Sequence, residues 1–188
     1  YLYNQQIFLL NKIKNQMLQK NSFYSTLILT LVFFLVNNSI NSTPIVLEPI
    51  NNKENAEEIG IIFVQGALIK SEQYVNLSKK IQEITKEFKT WVSISNTTFD
   101  LPISILGKWA IEACFKELIN KGFNQKSKIF IIGHSLGGEA ALQYYMANKD
   151  TYKMNHNGLI MLGSIPQRKI REKTTDLNLL IIGGELDG

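Results

Sequence analysis

An apolar run, Ile129-Phe130-Ile131-Ile132, leads directly into Gly133-His134-Ser135-Leu136-Gly137-Gly138, and a helix-forming stretch to Asn148 follows at once. No other feature restricts the fold as tightly. A short continuous apolar run reads as a strand buried on both faces, which is the signature of a parallel sheet with helices covering it. The chain must then reverse within a few residues. Gly133 and Gly137 flank the turn because a Cβ at either position would strike neighbouring backbone.

The same alternation recurs along the chain. Strands are expected at Ile59 to Val64, Trp91 to Ser95, Lys128 to Ile132, Leu159 to Leu162 and Asn178 to Ile182. Between them, Tyr74, Leu77, Ile81, Ile84 and Phe88 recur at helical spacing over Ser71 to Phe88, with Ser71 placed as an N-cap. Ile111, Cys114, Phe115, Leu118 and Ile119 do the same over Lys108 to Asn120, and Gly122 stands just past the end. Leu136 to Asn148 is the third helix. Strand–helix repetition predicts an α/β fold with a mostly parallel sheet and helices on both faces. Residues 43–58, with two prolines and no apolar period, read as a linker, and the domain is expected over 59–188.

Charge narrows the function classes. The net charge is +4, but Lys12, Lys14 and Lys20 lie in the first 42 residues, which contain no acid, so the remainder carries only +1. Arginine occurs only at Arg168 and Arg171. Few forks remain for phosphate or guanine, so nucleic acid is not an expected partner. One cysteine, Cys114, excludes an internal disulfide and any multi-cysteine metal site. No HExxH, CxxC or phosphate-loop pattern occurs, so no metal and no cofactor is expected. Cys114 and the aromatics Trp109, Phe115, Tyr144 and Tyr145 read as core or cleft-lining residues.

Chemistry concentrates at the G-x-S-x-G turn. A serine exposed on a sharp strand-to-helix turn is placed as a nucleophile, and the helix start behind it offers unpaired N–H groups and a positive dipole end to an oxyanion. The Leu136 N–H is one such donor. A bare helix-start turn with Ser135 as a cap is the alternative reading.

These residues, over roughly Ile59 to the end, resemble the α/β-hydrolase superfamily; the GHSLGG elbow is similar to that of lipases and of chlorophyllase-like and dienelactone-hydrolase-like esterases. The resemblance implies several further roles. Phe63-Val64-Gln65-Gly66-Ala67 matches the family's strand and oxyanion loop, making the Ala67 N–H the second donor, with Gln65 where the family usually has His. Asp187, after the last apolar run, fits the triad acid, with Glu185 in reserve; the position after the preceding strand, Gly163-Ser164-Ile165, offers no carboxylate. The family's base is a later His. Only His134 and His156 occur. His134 lies inside the elbow, directed away from Ser135, and His156 falls at the opposite edge of the sheet. The expectation is therefore a serine hydrolase that cleaves carboxylic esters through an acyl-enzyme, with its catalytic His, last strand and last helix beyond Gly188. The alternative is a non-catalytic, hydrolase-like binding module or an inactive truncated product. The substrate would be a small-molecule or lipid acyl ester, and Asn96–Leu106 and Ser164–Asp176 leave little room for a large lid.

The amino-terminal segment reads as an address. Phe23 to Val36 is a 14-residue mostly apolar run, preceded by Lys20 and followed by Ser39, Ser42 and Pro44. That length suits a secretory h-region and falls short of the roughly 20 residues of a membrane span. Residues 17–42 are expected to be a signal peptide or signal anchor, and residues 1–16 an upstream segment; a buried core helix is the alternative. Four N-x-S/T triplets, at Asn37, Asn41, Asn76 and Asn96, agree with a secretory route. Contact with a membrane would then come only through an uncleaved signal segment.

Overall fold

Ile61 and Phe63 pack into one hydrophobic cluster while their neighbours Ile62 and Val64 pack into another. This strand is therefore covered on both sides, which is why its sequence is continuously apolar rather than alternating. A computed structural model of the protein describes residues 30, 43–51, 53–148, 156–171 and 174–184. The chain divides into two compact units, 1–42 and 43–188. Apart from Thr30, the expected signal segment and the residues before it lie outside the described residues. Among the described residues no helix is long and apolar enough to cross a membrane.

The second unit runs β1 (Ile45–Leu47), β2 (Glu58–Val64), a 3-10 turn (Ser71–Tyr74), α1 (Val75–Ile84) and β3 (Lys89–Ile94). A second 3-10 turn (Thr98–Asp100), α2 (Ser104–Asn120), β4 (Lys128–His134) and α3 (Leu136–Asn148) follow. The described chain closes with β5 (His156–Leu162), α4 (Arg168–Arg171) and β6 (Leu179–Ile182). The six strands form one sheet in the order β1-β3-β2-β4-β5-β6. Every pairing is parallel except β1 with β3. The expected mostly parallel α/β fold is what the chain adopts.

Helices α2 and α3 cover one face of the sheet. Ile111, Cys114, Leu118 and Leu142 pack there against Ile62, Val64, Ile129, Ile131 and Met161. Ile81 of α1 and Tyr74 cover the other, against Ile61, Phe63, Val92 and Ile94. Each fully buried Ile, Leu or Phe contributes about 1.5–3 kcal/mol by leaving water.

Three local readings change. The segment read as linker contains β1, whose Ile45 pairs with Ile94 and Leu47 with Val92. Three residues between Pro44 and Pro49 are too few to show a period, and an antiparallel edge tolerates flanking prolines. The helix expected from Ser71 opens as a 3-10 turn and ends at Ile84 rather than Phe88. Ser71 is the first residue of that turn and Lys70 its N-cap; the Ser71 hydroxyl donates to Gln65 Oε1 at 3.3 Å. The helix stops early because Lys89 is already paired with Glu58 in the sheet. Finally, α2 begins at Ser104, four residues before the expected start, directly after the extended Ile103.

Candidate active site

Strand order decides where a site can form. The chain leaves β2 for β3 on one side, then returns past β2 to β4 on the other. Such a reversal opens a crevice at the carboxyl ends of β2 and β4, the usual ligand position in open α/β sheets. Val64 pairs with Gly133, so the loop after β2 and the turn after β4 emerge side by side.

Ser135 occupies that turn in the left-handed region, with φ 51°, and is exposed. A non-glycine residue held there is strained by about 1–3 kcal/mol and needs surrounding structure to keep it. Its N–H donates to Leu162 O at 2.9 Å, and its carbonyl accepts the Gly138 N–H at 2.9 Å. A Cβ on Gly133 would lie 2.5 Å from Gly137 O, and one on Gly137 would lie 2.6 Å from Val64 O and against Gln65 O. The elbow glycines are required because the first turn of α3 packs on the end of β4 at Gly133 and on the end of β2 at Gly137. Leu136 is the first residue of α3, so its N–H has no intrahelical acceptor.

The loop after β2 can be followed donor by donor. The Gln65 N–H donates to Ser95 Oγ at 3.1 Å, and the Gly66 N–H donates to Tyr74 Oη at 2.7 Å. The Leu68 N–H donates to Asp100 O at 2.7 Å, and the Ile69 N–H to Gly66 O at 3.4 Å. The Ala67 N–H has no acceptor among the described residues. Buried and half-buried backbone donors are nearly always paired, so an uncommitted one in the loop beside the Ser135 turn is a candidate oxyanion donor. Leu68, Phe99 and Asp100 also have positive φ, at 60°, 57° and 53°. Both loops beside the elbow are thus held in strained conformations.

A model of the alpha/beta hydrolase family matches residues 60–188. The chain belongs to that family. No curated protein sequence matches it.

In this hydrolase the elbow and both expected oxyanion donors come to one end of the sheet. His134 is not directed at Ser135 as a base: its Nδ1 lies 2.9 Å from Tyr74 Oη, and the two rings meet edge-on at 5.9 Å between centroids. His156 pairs with Ile129 at the start of β4, so it stands at the amino end of the sheet, about 20 Å of strand from the elbow. Asp187 and Glu185 lie outside the described residues. Among the described residues no group of three or more His, Cys, Asp or Glu gathers as a metal site. Cys114 is fully buried, and burial pushes its thiol up to about 12. It is a core residue, not a nucleophile.

One contributor, Tyr74, escapes sequence reading, and a second, Gln65, shows there only as a departure from the family's usual His. Tyr74 lies on the apolar stripe before α1, yet its hydroxyl ties the loop after β2 to His134. Burial pushes the Tyr74 phenol up from its ordinary value, and the Gly66 N–H partly offsets that. A Tyr rather than Phe on an apolar stripe is the available signal, because a buried phenol nearly always needs a partner. Gln65 is the other, buried at the end of β2 with both ends of its amide engaged.

Proposed function

We propose that this hydrolase cleaves carboxylic esters through an acyl-enzyme on Ser135. The observation that carries the reading is the pairing of a strained, exposed Ser135 with the uncommitted Ala67 N–H in the adjacent loop. Ser135 Oγ attacks the ester carbonyl carbon and gives its proton to an imidazole. The carbonyl oxygen becomes an oxyanion and accepts hydrogen bonds from the Leu136 and Ala67 N–H groups. The alkoxy C–O bond then breaks, and the leaving oxygen takes the proton back. Water repeats the sequence and frees the acid. Asp187 holds that imidazole in this reading. The two histidines of this sequence are placed elsewhere, one bound to Tyr74 and one at the far end of the sheet.

An apolar acyl group suits the surroundings. Leu68, Phe99, Ile103, Ile105, Leu136 and Ile165 are all exposed and all follow the carboxyl ends of β2 to β5, around the elbow. Exposed apolar side chains gathered at one end mark a binding surface better than scattered ones do. Residues 17–42 direct the protein to the secretory pathway in this reading.

The test is labelling of the full-length protein with an organophosphonate serine probe, alongside turnover of nitrophenyl esters. Ser135→Ala should remove both while leaving the circular dichroism spectrum unchanged. Labelling that persists at another serine would refute the assignment. A full-length protein that neither labels nor turns over esters would favour a hydrolase-like binding module.

A further inference from the structure

We infer that Gln65 and Asp100 are positioning residues that hold the oxyanion loop, coupling the turn after β3 to the Ala67 N–H. The inference rests on reading Ala67 as an oxyanion donor. Gln65 is fully buried, and its carboxamide is bonded to four residues in two connections. Nε2 donates to Ile69 O at 3.1 Å and to Asp100 Oδ1 at 3.0 Å. Oε1 accepts from Ser71 Oγ at 3.3 Å and from the Thr97 N–H at 3.3 Å. The amide orientation is fixed by these partners: Ile69 O can only accept, and the Thr97 N–H can only donate.

Asp100 grips the same loop a second time. Its backbone carbonyl accepts the Leu68 N–H at 2.7 Å while its carboxylate accepts from Gln65. Leu68 and Asp100 both have positive φ, so neither loop rests in a conformation its own sequence favours. Ala67 lies between Gly66, tied to Tyr74, and Leu68, tied to Asp100. With Ile69 O held by Gln65, the peptide plane that carries the Ala67 N–H has little freedom. An oxyanion donor acts only when it is aimed beforehand, and a shift of about 1 Å can cost about 10²-fold in rate. A hydrogen-bonding side chain at the end of β2 thus does by side-chain contacts what the loop's own backbone cannot.

The experiment measures kcat and KM of the full-length enzyme together with amide exchange of residues 66–70. Gln65→Ala and Asp100→Ala should each lower kcat by about 10²-fold with little change in KM. Exchange at 66–70 should quicken while β4 keeps its protection. Gln65→Glu puts two carboxylates face to face and should behave like Gln65→Ala. Adding Asp100→Asn to it restores a donor–acceptor pair and should recover part of kcat, which a purely structural loss would not do. Unchanged kcat and unchanged exchange at 66–70 in Gln65→Ala would overturn the inference. So would a Gln65→Glu/Asp100→Asn double variant no better than Gln65→Glu. The exchange measurement also works in the Ser135→Ala background, so failure of the esterase reading and failure of the positioning role give different results.

Discussion

Tyr74 Oη lies 2.9 Å from His134 Nδ1 and accepts the Gly66 N–H at 2.7 Å, so one phenol joins the turn after β4 to the loop after β2. Both contacts are available because Tyr74 sits in the 3-10 turn before α1, under Phe63, with ring centroids 4.8 Å apart.

Removing that hydroxyl tests the link. Tyr74→Phe keeps the ring packing but leaves the buried Gly66 N–H without an acceptor. A stranded buried donor costs about 1–3 kcal/mol. Urea unfolding should show a loss of that size, and kcat should fall more than KM rises. Wild-type stability in Tyr74→Phe would mean that the Gly66 N–H finds another acceptor and that the phenol is only packing.

The strain at Ser135 gives a second test. Left-handed backbone costs a non-glycine residue about 1–2 kcal/mol, whereas glycine adds about 0.4–1 kcal/mol of unfolded-state entropy. Ser135→Gly should therefore be more stable than Ser135→Ala by up to about 1.6 kcal/mol, with both inactive. Parity between the two in denaturant unfolding would argue that Ser135 is relaxed in its turn.

Most of the sheet was legible in the sequence because runs such as Ile59–Val64 and Ile129–Ile132 are covered on both faces and so are continuously apolar. The elbow was legible because Gly133 and Gly137 have no space for a Cβ. What escaped depends on contacts distant in sequence. β1 is three residues between prolines, and only pairing with β3 makes it a strand. Ser71 reads as a helix cap until Gln65 is seen to take its hydroxyl. Gln65 shows in sequence only as a departure from the expected His. Its partners Ile69, Ser71, Thr97 and Asp100 come together only once β2 and β3 pair.

Burial of Cys114 makes a prediction about alkaline pH. Its thiol is pushed up to about 12 from an ordinary 9.0, chiefly by burial and against a smaller opposing effect of Ser93. A group whose folded value is raised contributes stability that is complete below its unfolded value and lost as pH rises through the folded one. Unfolding free energy should thus decline from about pH 9 towards 12, and less steeply in Cys114→Ala. At pH 8, a thiol reagent should modify Cys114 only as fast as the protein opens. Rapid modification of the native chain would place the thiol at the surface.

The last prediction concerns β6. It pairs with β5 on one side, and among the described residues no strand lies on the other. Leu180, Ile181 and Ile182 are 53%, 42% and 48% exposed, so both faces of this edge present apolar side chains. An open edge that is also apolar is a template for another chain, and natural sheets blunt such edges with charge. The 188-residue chain should therefore self-associate, with light scattering that rises with concentration. Leu180→Lys with Ile182→Lys leaves β5 and the elbow untouched and should suppress that scattering while the circular dichroism spectrum holds. Equal scattering by the double variant and the parent would move the cause of association to another surface, with the apolar residues around Ser135 next to be substituted.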